Sequence, residues 1–177
     1  LLKMTHSLLD YLLENKEKME KIITTKGKLN YKTDCVYPRL SPLTLQGIPA
    51  DHFKSLQLDM ADFLKHLAWI QKSKIQCIRD AKDEEIIQIF LDYLLRWDYG
   101  FAGKKRGDFG IWEEGAGRRK ADPEPHTSSI ATMLLGFQEI HGCRLSRTLY
   151  KVPRKHLSRG KKLLTEQLKK VGESKTR

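Results

Sequence analysis

The chain is organised around the stretch Asp108-Phe109-Gly110-Ile111-Trp112-Glu113-Glu114-Gly115, in which aromatic residues flank a pair of carboxylates between glycines. Six of the twelve glycines fall between Asp98 and Ser128, so the connection that contains this stretch is long and rich in glycine. Long structured connections commonly carry function. We therefore interpret the stretch as the floor of a binding cleft.

Apolar residues recur at three- and four-residue steps on both sides of that connection, which is the spacing of amphipathic helices. We find no alternating strand pattern of useful length, so the chain is predicted to be all-α, with long connections alternating with short ones. The pattern predicts five helices, at about residues 1–23, 51–71, 80–97, 127–140 and 157–171. The expected N-terminal caps are Asp51, Asp80 or Asp83, and Thr127 or Ser128, and the expected stops are Gly27 and Gly142.

The length of 177 residues and the apolar content of 40% are enough for the core of one domain. No run approaches the ~18 to 20 apolar residues that a membrane span needs, and charges interrupt the N-terminal stretch, so we expect a soluble protein without a signal peptide. The three cysteines are widely separated and the six histidines form no cluster, which favours neither a disulfide framework nor a metal site. A reducing, cytoplasmic compartment fits this composition, and no cofactor is expected.

The net charge of +11 is concentrated at one end of the chain. From Arg144 onward there are twelve basic residues and two acidic ones, whereas the preceding residues hold 21 basic and 20 acidic ones. Because the larger part of the chain is electrically balanced, we do not expect nucleic acid as its partner. The basic helix at about 157–171 has two interpretations: it binds calmodulin or an anionic membrane, or it packs its apolar face on the remainder of the domain.

The carboxylates beside Trp112 suit the cleavage of a glycosidic bond. Such an enzyme needs one carboxylic acid to protonate the departing oxygen and a second carboxylate on the opposite side of the sugar, while aromatic rings provide a platform for sugar faces. Glu113 and Glu114, with Asp108 near them, supply these residue types at one end of a site. Acidic residues next to a tryptophan are also common in loops that have only a structural role.

Three further segments carry polar groups with two interpretations each. Gln57 and Asp59 lie among apolar residues and either face solvent or hydrogen-bond a neighbour. Arg39, in Tyr37-Pro38-Arg39, either binds substrate hydroxyls or anchors a loop. The run His126-Thr127-Ser128-Ser129 contains the groups of a nucleophilic site, but neighbours at a helix start do not point toward one another, so helix capping is the favoured interpretation.

Taken together and in order, three segments resemble one family. Glycoside hydrolase family 15, shared by glucoamylases and the regulatory α and β subunits of phosphorylase kinase, is similar to this chain over roughly residues 1–145. The Trp112-Glu113-x-Gly115 form and the His-x-Ser-Ser run are closest to the phosphorylase kinase type, whereas the doubled Glu113-Glu114 is more like the glucoamylases. The segments are Gln57-Leu58-Asp59, Gly110-Ile111-Trp112-Glu113-Glu114-Gly115 and His126-Thr127-Ser128-Ser129-Ile130.

The resemblance implies part of an (α/α)6 toroid of six outer and six inner helices around a glucan-binding cleft. It makes Glu113 the general acid, Trp112 an aromatic wall of the first sugar subsite and Asp59 a ligand of the terminal glucose. Gln57, Arg39 and Asp108 are further substrate-binding residues by the same match. We expect residues 1–145 to form the glucoamylase-like part and residues 146–177 a basic helical tail that continues the same domain.

Two departures from the family limit this expectation. Leu58 stands where the family usually has a polar residue, and the family's catalytic base comes from a later inner helix beyond Arg177. The chain therefore holds at most one half of the catalytic pair, and we expect it to be a piece of a longer protein.

The leading functional interpretation is a glucan-recognising domain of the regulatory type, with α-glucan as ligand and kinase subunits or calmodulin as possible protein partners. The alternatives are a fragment of an inverting, exo-acting α-glucan hydrolase and, third, a basic nucleic-acid-binding protein.

Overall fold

The computed structural model describes residues 1–31, 33–36, 56–103, 107–108 and 125–174, the last four of these in backbone only. Two short 3-10 turns, Asp59–Ala61 and Asp98–Gly100, adjoin the helices α3 and α4 respectively. The helices are α1 (Leu2–Glu14), α2 (Lys16–Thr24), α3 (Asp62–Lys72), α4 (Ala81–Trp97), α5 (Thr127–Ile140) and α6 (Arg154–Ser174), and the strands are β1 (Arg144–Leu145) and β2 (Thr148–Leu149). The predicted all-α fold is confirmed.

The first predicted helix is interrupted at Asn15, so the expected single helix over residues 1–23 was wrong. Asn15 leaves the helical conformation at φ −100° and ψ 10°, and its side-chain amide donates a hydrogen bond of 2.9 Å to the carbonyl of Tyr11. An asparagine side chain that bonds the backbone offers an alternative to the helical ladder. The result is two helices, α1 and α2, that both pack against α4.

Helix α4 is the central element of the core. Its side chains Phe90, Tyr93, Leu94 and Trp97 are fully buried. The carboxylate of Asp80 accepts hydrogen bonds from the backbone N–H groups of Lys82 at 2.8 Å and Asp83 at 3.2 Å, which confirms Asp80 as the N-terminal cap.

Helix α3 lies against α5, and the expected position of its start was wrong. The helix that ends at Lys72 begins with the 3-10 turn at Asp59, and residues 56–58 before it are not helical. The expected cap, Asp51, lies outside the described residues. The later start makes Asp59 the first residue of the 3-10 turn rather than an interior residue of the helix.

The expected capping of α5 by Thr127 or Ser128 was also wrong. His126 occupies the cap position, and no side chain there bonds the first turn of the helix. Gly142 does follow the helix end as expected, with φ +76°, and its N–H donates to the carbonyl of Tyr150 at 2.9 Å. That bond begins the short hairpin β1–β2, which pairs Arg144 with Leu149.

Helix α6 begins at Arg154 and packs on α5 through its first half. Leu163 is buried there, whereas Leu168 near the far end is 55% exposed. In the part of the chain that the structure describes, none of the helices has both the length and the apolar character of a membrane span.

Candidate functional site

The segments around Leu58, Asp108 and His126 meet at the Asp108 side chain. The backbone N–H of Leu58 donates a hydrogen bond to Asp108 Oδ2 at 3.0 Å. His126 and Ser129, at the start of α5, lie close enough to the same carboxyl to influence its ionisation, as does Asp59. Asp108 is only 1% exposed, so these contacts take place in the interior.

The 3-10 turn Asp59–Ala61 packs against α5. A Cβ on Gly136 of α5 would lie 2.5 Å from the carbonyl oxygen of Ala61, a separation that only a glycine permits. The turn can therefore approach the helix axis closely. This close approach packs Ala61, two residues after Asp59, against α5.

Burial raises the pKa of the Asp108 carboxyl, because the ionised form loses its hydration. The N–H of Leu58, the Ser129 hydroxyl and His126 oppose that effect, while the nearby Asp59 adds to it. Ser129 Oγ is buried and makes no hydrogen bond of good geometry within the described residues, although it faces the carboxyl closely enough to favour its charge. Together these effects leave the pKa of Asp108 above its ordinary value.

Asp59 is the second carboxyl of the site, and burial raises its pKa as well. Its own backbone N–H opposes this effect and the carboxylate of Asp62 reinforces it. Oδ1 of Asp59 is buried without a hydrogen-bond partner among the described residues. A buried oxygen without a partner costs free energy.

Asp59 borders a cleft of ≈ 560 Å³ between α1 and α3. Its volume is in the usual range of small-molecule sites. One wall comes from the N-terminal end of the chain and is mainly apolar, with Leu1, Met4, Leu8 and Leu12 beside Thr5 and Tyr11. The opposite edge is polar, with Gln57, Asp59, Asp62 and His66, and Phe63 and Phe90 lie in the same lining.

The structure brings together three of the six residues expected in the site. Gln57 and Asp59 line the cleft, and Asp108 lies behind Asp59 in the interior. Glu113, Trp112 and Arg39 lie outside the described residues.

Asp62 and His66 were not expected in the site. The four-residue spacing of these two residues places them on one face of α3, but the sequence does not show which face borders a cleft.

Within the described ranges we find no group of three or more His, Cys, Asp or Glu side chains that could hold a metal ion. No protein-family model, curated protein or solved structure matches this chain.

Proposed function

We propose that this chain is a glucan-recognising, glucoamylase-like domain of the phosphorylase kinase regulatory type, with a role in glycogen metabolism. One observation carries the proposal. Leu58 and Asp59 from the first segment of the resemblance and His126 and Ser129 from the third surround a single carboxyl, Asp108. Two segments that resemble parts of one sugar-binding cleft are thus neighbours in space, although about 70 positions separate them in the sequence.

The lining of the cleft fits a hexose. A sugar ring presents hydroxyl groups at its edge and C–H groups on its faces, so it needs polar and apolar walls together. Gln57, Asp59 and His66 supply hydrogen-bonding groups, and Phe63 supplies an aromatic surface. Asp59 has the clearest role, because it carries a carboxyl group at the edge of the cleft and a carboxyl group can hydrogen-bond sugar hydroxyls.

Calorimetric titration with maltotetraose tests this proposal, with cellotetraose as the ligand of opposite linkage. We expect maltotetraose to bind and Asp59→Ala to weaken it by about tenfold, which corresponds to ~1.4 kcal/mol, the scale of one hydrogen bond. Asp92→Ala on α4 is the matched control, because Asp92 bonds Gln88 and is not among the described residues that line the cleft. Equal affinity of the two variants for maltotetraose would show that Asp59 does not contribute to glucan binding.

The same preparation separates recognition from hydrolysis. In the alternative, an inverting α-glucan hydrolase, Glu113 would protonate the glycosidic oxygen while a second carboxylate activates water. We expect binding without release of glucose by this chain. Glucose release that Glu113→Gln abolishes would favour the hydrolase.

A second candidate function is favoured by the charge of α6. Its described side chains include one acid, Glu166, and many exposed cations, of which Arg159 is ion-paired with Asp98. The exposed basic residues are Arg154, Lys155, Arg159, Lys161, Lys162, Lys169 and Lys170. Nucleic-acid binding through this surface predicts a steep loss of affinity with salt, and insensitivity to removal of residues 144–177 would exclude it.

A further inference from the structure

Two consecutive residues after α4 adopt a left-handed backbone although neither is glycine. Asp98 has φ +48° and Tyr99 has φ +59°. Left-handed conformations are unfavourable for residues other than glycine and persist only where the surroundings impose them. The contacts of Asp98 and Tyr99 therefore identify what imposes this turn.

Helix α6 makes those contacts. The Tyr99 hydroxyl donates a hydrogen bond to the carbonyl of His156 at 2.9 Å, and Arg159 Nε donates to Asp98 Oδ1 at 2.7 Å. The Tyr99 ring also packs edge-on against Phe137 of α5, with ring centroids 5.7 Å apart. Gly160 leaves the space for the tyrosine, since a Cβ at this position would overlap the Tyr99 hydroxyl.

The turn held by α6 leads directly to the candidate site. Gly100, the next residue, accepts a hydrogen bond of 3.1 Å from the N–H of Gly107. The two glycines touch so closely that a Cβ on Gly100 would lie 2.7 Å from the Gly107 carbonyl oxygen. Asp108 follows Gly107, and its carboxyl accepts a hydrogen bond from the backbone N–H of Leu58.

We infer that Tyr99 is a positioning residue of the candidate site. Its contact with α6 fixes the turn, the turn fixes the Gly100–Gly107 contact, and that contact presents the Asp108 carboxyl to Leu58. Each step is a hydrogen bond or a close contact within the described residues. The consequence for ligand affinity rests on the proposed function, whereas the positioning of Asp108 does not.

Hydrogen exchange of the Leu58 amide, followed by NMR, tests the positioning without any ligand. Gly160→Ala inserts a methyl group where the Tyr99 hydroxyl lies, and it raises intrinsic helix propensity. We expect at least a tenfold faster exchange at Leu58, with the amides of α4, such as Ile87, unchanged. Ser158→Ala, on the exposed side of α6, is the matched control and should leave Leu58 exchange as in the wild type.

Tyr99→Phe is the second variant, because it removes only the hydroxyl that donates to the His156 carbonyl. It tests the inference even if Gly160→Ala does not fold. We expect about threefold faster exchange at Leu58 in this variant, and an unchanged rate in a folded variant would overturn the inference. Maltotetraose affinity distinguishes the positioning role of Tyr99 from the proposed recognition of glucan. Faster Leu58 exchange in a protein that never binds maltotetraose would keep the positioning role of Tyr99 and refute the proposed function.

Discussion

The backbone N–H of Leu58 donates a hydrogen bond of 3.0 Å to the Asp108 carboxyl, which lies fifty positions later in the chain. This bond joins the segment before α3 to the segment after α4. It forms in the interior, where an unmade hydrogen bond is costly. The Leu58–Asp108 bond therefore fixes Asp59, the next residue, at the edge of the cleft.

The raised pKa values of Asp59 and Asp108 predict a pH-dependent stability. In the folded state the pKa of both carboxyls is raised, chiefly because burial removes the hydration of the ionised form. Their contribution is therefore fully present below the unfolded pKa of about 3.9 and is lost as the pH rises through the raised values. We expect Asp59→Asn/Asp108→Asn to gain free energy of unfolding relative to the wild type between pH 4 and pH 7.

Urea unfolding at pH 4 and pH 7 measures this difference in the free energy of unfolding. Ionisable groups that are present in both proteins contribute equally to the two pH dependences, so their contribution cancels in the comparison with the wild type. His126 and Asp62 lie close enough to the two carboxyls to influence their ionisation, so each single variant should be measured as well. A wild type that gains stability relative to the double variant toward pH 7 would contradict the assignment.

The opposite pH dependence is expected at Asp83. Burial opposes its ionisation, but hydrogen bonds from the side chain and backbone of Arg79 outweigh that effect and lower the pKa. The stabilisation is therefore present above pH ~4 and is lost as the pH falls through the lowered value.

Arg79→Ala would leave the Asp83 carboxylate buried without its side-chain partner. We expect a loss of about 2 kcal/mol at pH 7, less than for a fully buried pair because Arg79 is partly exposed, and a smaller loss at pH 3. Guanidinium unfolding at the two pH values provides the comparison. A loss that is equal at pH 3 and pH 7 would argue against the ion pair as its source.

The close approach of α5 to the 3-10 turn predicts that Gly136→Ala is destabilising. Alanine normally favours a helix by about 1 kcal/mol, but here its Cβ would lie 2.5 Å from the Ala61 carbonyl oxygen. We expect a net loss of about 2 kcal/mol, typical of overpacking. Gln138→Ala, at an exposed position of the same helix, should change stability by less than ~0.5 kcal/mol. Similar stabilities of Gly136→Ala and Gln138→Ala would show that the 3-10 turn can shift away from α5 to accommodate the added methyl group.

The cap of α4 gives a simpler prediction. Asp80→Ala removes the acceptor for the N–H groups of Lys82 and Asp83 and should cost about 1 kcal/mol. Asp80→Asn keeps an acceptor oxygen and should cost much less. Equal losses in denaturant titrations would mean that the charge of Asp80, rather than its hydrogen bonds, is what stabilises the helix.

The sequence predicts the helices well where local signals decide them. Asp80 precedes a long apolar periodicity and caps α4 as expected, and Gly142 follows α5 with the positive φ that favours glycine. The break at Asn15 was missed because the apolar spacing continues across it. A side-chain bond to Tyr11, which periodicity does not report, interrupts the helix there.

The sequence did not fix the geometry around the expected site residues, whose roles in binding stay a prediction. Gln57, Asp59 and Asp108 were expected, and they do lie near one another, but the buried position of Asp108 depends on contacts with Leu58 and His126. The left-handed conformation of Tyr99 has no sequence signal, because a distant helix imposes it.

The most direct test of the central claim, that glucan binds beside Asp59, is a map of amide chemical shifts during titration with maltotetraose. We predict that the largest changes occur at Gln57, Leu58, Asp59 and Phe63, with smaller ones at Asp108 and none in the second half of α6. Changes confined to α6, or no changes at ligand concentrations well above those used for calorimetry, would contradict the account.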